Sequence, residues 1–133
     1  MTDLDDIPAP QGELTLKLLA SRQDTNLHGD IAGGWLVAHM DQAAELAAGR
    51  EARGRTATVA IESMDFLCPV RVGAMVNIYT AVREIGHSSI RIDVEVWIRQ
   101  PQERDPRELH KVTEASFVMV ALDDKGRIRA VHQ

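Results

Sequence analysis

Residues 24–41 read DTNLHGDIAGGWLVAHMD, and this stretch decides the fold. A polar, glycine-bearing run gives way at Gly33 and Gly34 to an apolar one, so the spacing predicts a loop followed by a helix over residues 34–48. The helix carries Trp35, Leu36, Val37, Met40 and a series of alanines with few charges, as a mostly buried helix does. Gly49 stands where a left-handed cap would end it. A helical wheel puts Gly34, Val37, Asp41, Ala44 and Ala48 on one face. Asp41 is then a lone carboxylate on an apolar stripe. Burying such a group is costly without partners, and its presence marks either chemistry or a tight hydrogen-bond network.

Outward from the helix the period changes from 3.6 to 2. Upstream, residues 13–20 (ELTLKLLA) alternate, with Leu14, Leu16 and Leu18 on one side. Downstream, residues 56–67 form a strand closed by Cys68 and Pro69, Gly73 marks a turn, and residues 75–85 form a strand closed by Gly86. Residues 89–99 (SIRIDVEVWIR) set Ile90, Ile92, Val94, Val96 and Ile98 against Arg91, Asp93, Glu95 and Arg99, the pattern of an antiparallel strand with one wet face. Residues 109–122 give the last long strand, and residues 123–126 a turn. One buried helix among strands joined by short turns is an α+β arrangement. It predicts an antiparallel sheet of five to six strands wrapped around one long central helix, the hotdog fold. A single such sheet leaves an edge strand unpaired, so a homodimer joined edge to edge is expected.

The bulk properties narrow the function. At 133 residues the chain reads as one domain over residues 13–133, preceded by an acidic, proline-bearing lead-in over residues 1–12. The net charge of −5 provides no field for nucleic acid or an anionic membrane. Cys68 is the only cysteine, so an intrachain disulfide is excluded. The lead-in is unlike a signal peptide, and no apolar run approaches the roughly 20 residues that cross a bilayer, so a cytoplasmic protein is expected. The five histidines, at 28, 39, 87, 110 and 132, show no paired ligand spacing, and no metal site is expected. No Gly-x-Ser-x-Gly elbow occurs, which disfavours a serine hydrolase.

Four separated segments carry a resemblance. Residues 24–35 followed by Met40 and Asp41, then TVAIESMDF at 58–66, GHSSI at 86–90 and EVWI at 95–98, resemble the YciA-type acyl-CoA thioesterases in sequence and order. That resemblance implies hydrolysis of an acyl-CoA to a free acid and CoA, with no cofactor beyond the CoA that substrate and product carry. It implies that Asp41 is the catalytic carboxylate, as general base or nucleophile. It also implies a site shared across a dimer interface, with a loop of one protomer facing the helix of the other, and assembly of dimers to a hexamer (a trimer of dimers). The nucleotide of CoA is expected along Gly86, His87, Ser88 and Ser89.

The residue types suit that chemistry. Thioester hydrolysis needs a base for water and donors for the developing oxyanion. A helix opening at Gly33 and Gly34 offers unpaired N–H groups, a positive dipole end and room for close approach. Asp41 lies about 10 Å further along the axis at 1.5 Å per residue, so one carbonyl does not reach both within one subunit. Asn26 and His28 are candidates to orient water or the thioester, although Asn26 is equally read as an Asx residue holding the turn. Asp30 is read as a turn residue and Ser63 as a substrate contact or a packing residue. The turn containing Gly86, His87, Ser88 and Ser89 presents hydroxyls and N–H groups to an anion. Arg71, Arg91 and Arg99 are candidate cations for the phosphates. Two other readings compete: a hotdog dehydratase acting on enoyl or hydroxyacyl thioesters, which would pair an acid with a histidine, and a non-catalytic acyl-CoA binding module.

Overall fold

A computed structural model describes residues 8–105 and 107–132. In chain order these form β1 (Glu13–Leu19), a short 3₁₀ turn (Arg22–Asp24), α1 (Gly33–Ala52), β2 (Thr56–Phe66), β3 (Met75–Ile85), β4 (Ser89–Arg99) and β5 (His110–Ala121). The strands make one antiparallel sheet in the order β1-β3-β4-β5-β2. β1 and β2 are consecutive strands yet occupy opposite edges. The connection between them is α1, which crosses one face of the sheet and packs on all five strands.

The core lies between that face and the helix. Ile90, Ile92, Val94, Val96 and Ile98 of β4 are completely buried, as are Val76 and Ile78 of β3 and Phe117 and Met119 of β5. Each such side chain contributes about 1.5–3 kcal/mol on leaving water. The helix meets them with Leu36, Met40, Ala43, Ala44, Ala48 and Ala52. Alanine at four of these six positions lets the helix axis approach the sheet closely.

The buried stripe of α1 differs from the predicted wheel face. Ala44 and Ala48 are buried, but Val37 and Asp41 are only half-buried and Gly34 is exposed. The true stripe is rotated toward Leu36 and Met40, which puts Asp41 on its flank, facing β2. The helix is also less enclosed than its composition suggests. A five-stranded sheet covers one side of it, and Leu46 on the open side is 45% exposed. Gly49 does not end the helix. The chain continues to Ala52, and Arg53 supplies the left-handed cap with φ 54°. The Gly54 N–H then returns to the Gly49 carbonyl at 3.2 Å.

The opposite face of the sheet is less wet than the alternation of β4 predicts. Glu95 is 6% exposed and Trp97 3%. Residues 8–12, expected as a loose lead-in, run across them, with the Gln11 N–H donating to Glu95 Oε2 at 3.3 Å. Residues 1–7 of that lead-in lie outside the described residues. Apolar groups remain exposed along β2 and just beyond it: Val59 (57%), Ile61 (41%), Phe66 (50%) and Leu67 (63%).

Candidate active site

Two side chains on neighbouring elements form the centre of the site. The hydroxyl of Thr58, on β2, donates to Asp41 Oδ1 on α1. The same hydroxyl lies 3.3 Å from Met119 Sδ, so its other side is closed by the core. α1 runs back along β2: Gly33 lies against the Phe66 ring, Asp41 against Thr58, and Ala52 near the start of the strand. β2 has an irregularity in its pairing between Thr58 and Ala60, beside this contact. Asp41 therefore occupies the seam between the helix and the sheet's exposed edge, with one carboxylate oxygen oriented by a neutral donor.

Thr58 was not among the residues singled out from sequence. Its signal was present in the strand's alternation, which puts Thr56 and Thr58 on the same side of β2 as the helix. Thr56 follows that rule: it is 9% exposed and its hydroxyl has no partner among the described residues.

The helix N-terminus lies at the other end of the seam. Ala32, the residue before it, offers no side-chain cap. Trp35 and Leu36 N–H groups reach the Ala32 carbonyl at 3.1 and 3.4 Å, whereas the Gly33 and Gly34 N–H groups have no acceptor among the described residues. A Cβ at Gly34 would meet nothing within 4 Å, and one at Gly33 would touch Phe66 Cζ at 3.6 Å. The loop before it is a knuckle closed by a bridge between Thr25 and Ile31. Asn26 holds it: its Oδ1 accepts from the His28 and Asp30 N–H groups at 2.9 and 3.2 Å, the Asx arrangement. Asp30 contributes its carbonyl, which accepts from the Asn26 N–H at 2.7 Å. His28 is exposed. Leu27, at the tip, is fully exposed at 102%. Within one chain, Asn26 and His28 are not in contact with Asp41.

The remaining sequence candidates are spread more widely. The turn containing Gly86, His87, Ser88 and Ser89 packs by its carbonyls, Ser88 accepting from the Ala121 N–H and His87 from the Val131 N–H, both at 2.9 Å. A Cβ at Gly86 would stand 2.7 Å from Ser89 Oγ, a contact that rotation of the serine side chain relieves. Ser63 occupies a bulge of β2 with φ 56° and lines a groove of about 1550 Å³ on the sheet face away from α1; Arg71 lines the same groove. Arg91 is paired with Glu62 at 2.6 Å and Ser116 at 3.0 Å, and Arg99 reaches the Glu103 carbonyl. These four side chains are thus not gathered with Asp41 in one protomer: Arg91 and Arg99 stand at β4 positions that alternate with the buried Ile90, Ile92 and Ile98, Ser63 is turned by its bulge, and Arg71 lies in the β2–β3 connection. Cys68 is half-buried, and desolvation pushes its thiol pKa up, as suits a small packing residue.

Comparison with known proteins gives the family and the fold of its relatives. The model of the Thioesterase superfamily matches residues 28–104. The acyl-CoA thioester hydrolase YciA of Salmonella typhimurium is 43% identical over 129 residues, 97% of this chain and 96% of the relative. Among solved structures, the hexameric thioesterase of Yersinia pestis superposes with a TM-score of 0.86 at 43% identity, covering 92% of this chain and 97% of that one. A hexameric broad-specificity acyl-coenzyme A thioesterase gives a TM-score of 0.88 at 41% identity, covering 100% of this chain and 89% of the other.

Proposed function

The chain belongs to the thioesterase superfamily, and on that premise we propose that it is an acyl-CoA thioesterase whose acid–base group is Asp41. The observation that carries this reading is the Asp41–Thr58 pair: a half-buried carboxylate, fixed on one oxygen, facing the open edge of the sheet. In the reaction, Asp41 takes a proton from water as the water oxygen bonds to the thioester carbonyl carbon. The tetrahedral oxyanion collapses with cleavage of the carbon–sulfur bond, and the proton passes to the departing CoA sulfur. The Gly34 N–H is the oxyanion donor. Thr58 leaves the second carboxylate oxygen of Asp41 for water. The alternative role for Asp41, as nucleophile forming an acyl-anhydride, uses the same oxygen.

The active form is a homodimer that assembles further to a hexamer, like the relatives described as hexameric. Gly34 and Asp41 of one chain are about 10 Å apart along the axis, so the donor and the base acting on one carbonyl come from two protomers. The exposed β2 edge and the apolar tip at Leu27 are what such an interface would cover. Asn26, with its oxygen committed to the knuckle, acts by holding the loop and presenting its amide nitrogen.

Asp41→Asn tests the assignment. It should fold and assemble as the wild type does while thiol release falls on the order of 10²–10⁴-fold, the range for removing a general base. Wild-type turnover by that variant would refute it. With an enoyl-CoA, hydration in place of thiol release would identify a dehydratase, and tight binding with neither product would identify a binding module.

A further inference from the structure

The Thr58 hydroxyl carries a single proton and stands between two acceptors, Asp41 Oδ1 on α1 and Met119 Sδ on β5, the latter at 3.3 Å. Only the first enters the proton transfer described above. The sulfur is held firmly in place. Met119 is the register partner of Thr58 across the β2–β5 pair and of Ile90 across the β4–β5 pair. Both Met119 and Ile90 are completely buried.

The neighbouring threonine shows that such a contact does not come with the strand. Thr56 lies on the same face of β2, one pleat away, opposite Ala121. Its hydroxyl is buried and has no partner among the described residues. Of these two threonines, only the one beside the carboxylate is given a sulfur. Leucine would fill nearly the same volume as Met119, so packing alone does not require a thioether there.

What the sulfur adds depends on the charge of Asp41. While Asp41 is a carboxylate, its charge draws the Thr58 proton to Oδ1, because a charge-assisted hydrogen bond is roughly twice as strong as a neutral one. Once Asp41 has taken a proton from water on its other oxygen, that advantage is gone. The sulfur then competes for the Thr58 proton through rotation about the Cβ–Oγ bond alone. A hydrogen bond to the carboxylate favours the charged form and so resists proton uptake. A second acceptor, which gains as the first weakens, offsets part of that resistance.

We propose that Met119 is a positioning residue for the hydrolysis: its sulfur shares the Thr58 hydroxyl proton, taking the larger part while Asp41 holds the proton of the attacking water. No covalent bond changes at Thr58 or Met119. When the proton passes on to the departing CoA sulfur, the Thr58 hydroxyl returns to Asp41. The inference rests on the acyl-CoA reading and on Asp41 as its base.

The test compares Met119→Leu in the wild-type chain and in a Thr58→Val background, with Met40→Leu as the same exchange at a completely buried helix position. Met119→Leu should lower kcat for thiol release about threefold to tenfold, the size of one neutral hydrogen bond, with KM unchanged. In the Thr58→Val background it should lower kcat no further, because the hydroxyl through which the sulfur acts is gone. Met40→Leu should change kcat by the same factor in both backgrounds. Protein grown on norleucine, which puts a methylene in place of each methionine sulfur, repeats the comparison with side-chain length kept and decides it should Met119→Leu not fold. Norleucine should lower kcat in the wild-type chain and not in the Thr58→Val variant. Equal factors in the two backgrounds, or wild-type kcat without the sulfur, would overturn the inference and leave Met119 a packing residue. A wild type that releases no thiol would instead overturn the acyl-CoA reading, and wild-type turnover by Asp41→Asn would overturn its base.

Discussion

Asp41 and Glu95 are both carboxylates drawn out of bulk water, and the protein holds them in opposite ways. Glu95 sits on the sheet face away from the helix, 6% exposed, with the Trp97 indole N–H donating at 2.9 Å, the Gln11 N–H at 3.3 Å and Lys111 Nζ at 3.6 Å. Both oxygens are occupied and a cation stands beside them. Among the described residues Asp41 has a single donor, Thr58, no cation beside it, and an open flank at the sheet's edge. A carboxylate whose valences are filled by its own chain is part of the structure. One left with an oxygen toward a seam is available to a substrate. Burial alone does not separate these cases; the partner count does.

The contrast is broken most directly by isosteric amides at both positions. Asp41→Asn is expected to lose on the order of 10²–10⁴ in turnover with little change in thermal stability. Glu95→Gln is expected to do the reverse. Its amide cannot accept on both sides, so a buried donor is left unmatched at a cost of about 1–3 kcal/mol, read as a lower denaturant midpoint, while thiol release stays at the wild-type level. Equal losses of activity in the two variants would show that the partner count does not discriminate.

Thr58→Val sharpens the role of the one donor Asp41 has. The change keeps the strand's shape and removes the hydroxyl. A hydrogen bond to a charged group contributes about 1.5–3 kcal/mol, so kcat should fall about tenfold to a hundredfold with KM nearly unchanged. A rise in KM alone would mean that Thr58 contacts substrate rather than orienting Asp41.

How far the sequence discloses all this depends on whether a feature is local. The alternation of residues 89–99 is set by neighbours two positions apart, and β4 appears where that periodicity puts it; α1 is a helix as its spacing predicts, but its buried stripe is rotated toward Leu36 and Met40 because the sheet, not the helix, decides which side is covered. Strand order is not local. Nothing in the short β2–β3 connection indicates that these strands lie at positions separated by β4 and β5. The helix end was misplaced because glycine is a frequent cap but not an obligatory one: Gly49 stays helical, a Cβ there would meet the Gly54 carbonyl oxygen at 3.4 Å, and the left-handed cap falls to Arg53. In the site, Asp41 stands out in sequence because a carboxylate on an apolar helix is anomalous. Thr58 does not, because threonine in a strand is ordinary. Its role depends on which helix residue packs opposite, a relation that only the assembled sheet defines.

The smallest effects, and the finest comparison, come from the two glycines that open α1. Both sit in a helical first turn, where alanine is favoured over glycine by up to about 1 kcal/mol, so Gly33→Ala and Gly34→Ala should each fold at least as stably as the wild type. Their surroundings differ. A methyl at 33 packs on the Phe66 ring at an ordinary 3.6 Å, whereas one at 34 projects into open space within the protomer. If the Gly34 N–H receives the oxyanion, that space is where a thioester carbonyl approaches the backbone, and a methyl group there obstructs it. Gly34→Ala should then lower kcat/KM severalfold while raising the melting temperature by a degree or a few, and Gly33→Ala should raise stability alone. Identical kinetics for the two variants would move the oxyanion donor away from this helix end, leaving Asp41 to act beside a donor yet to be assigned.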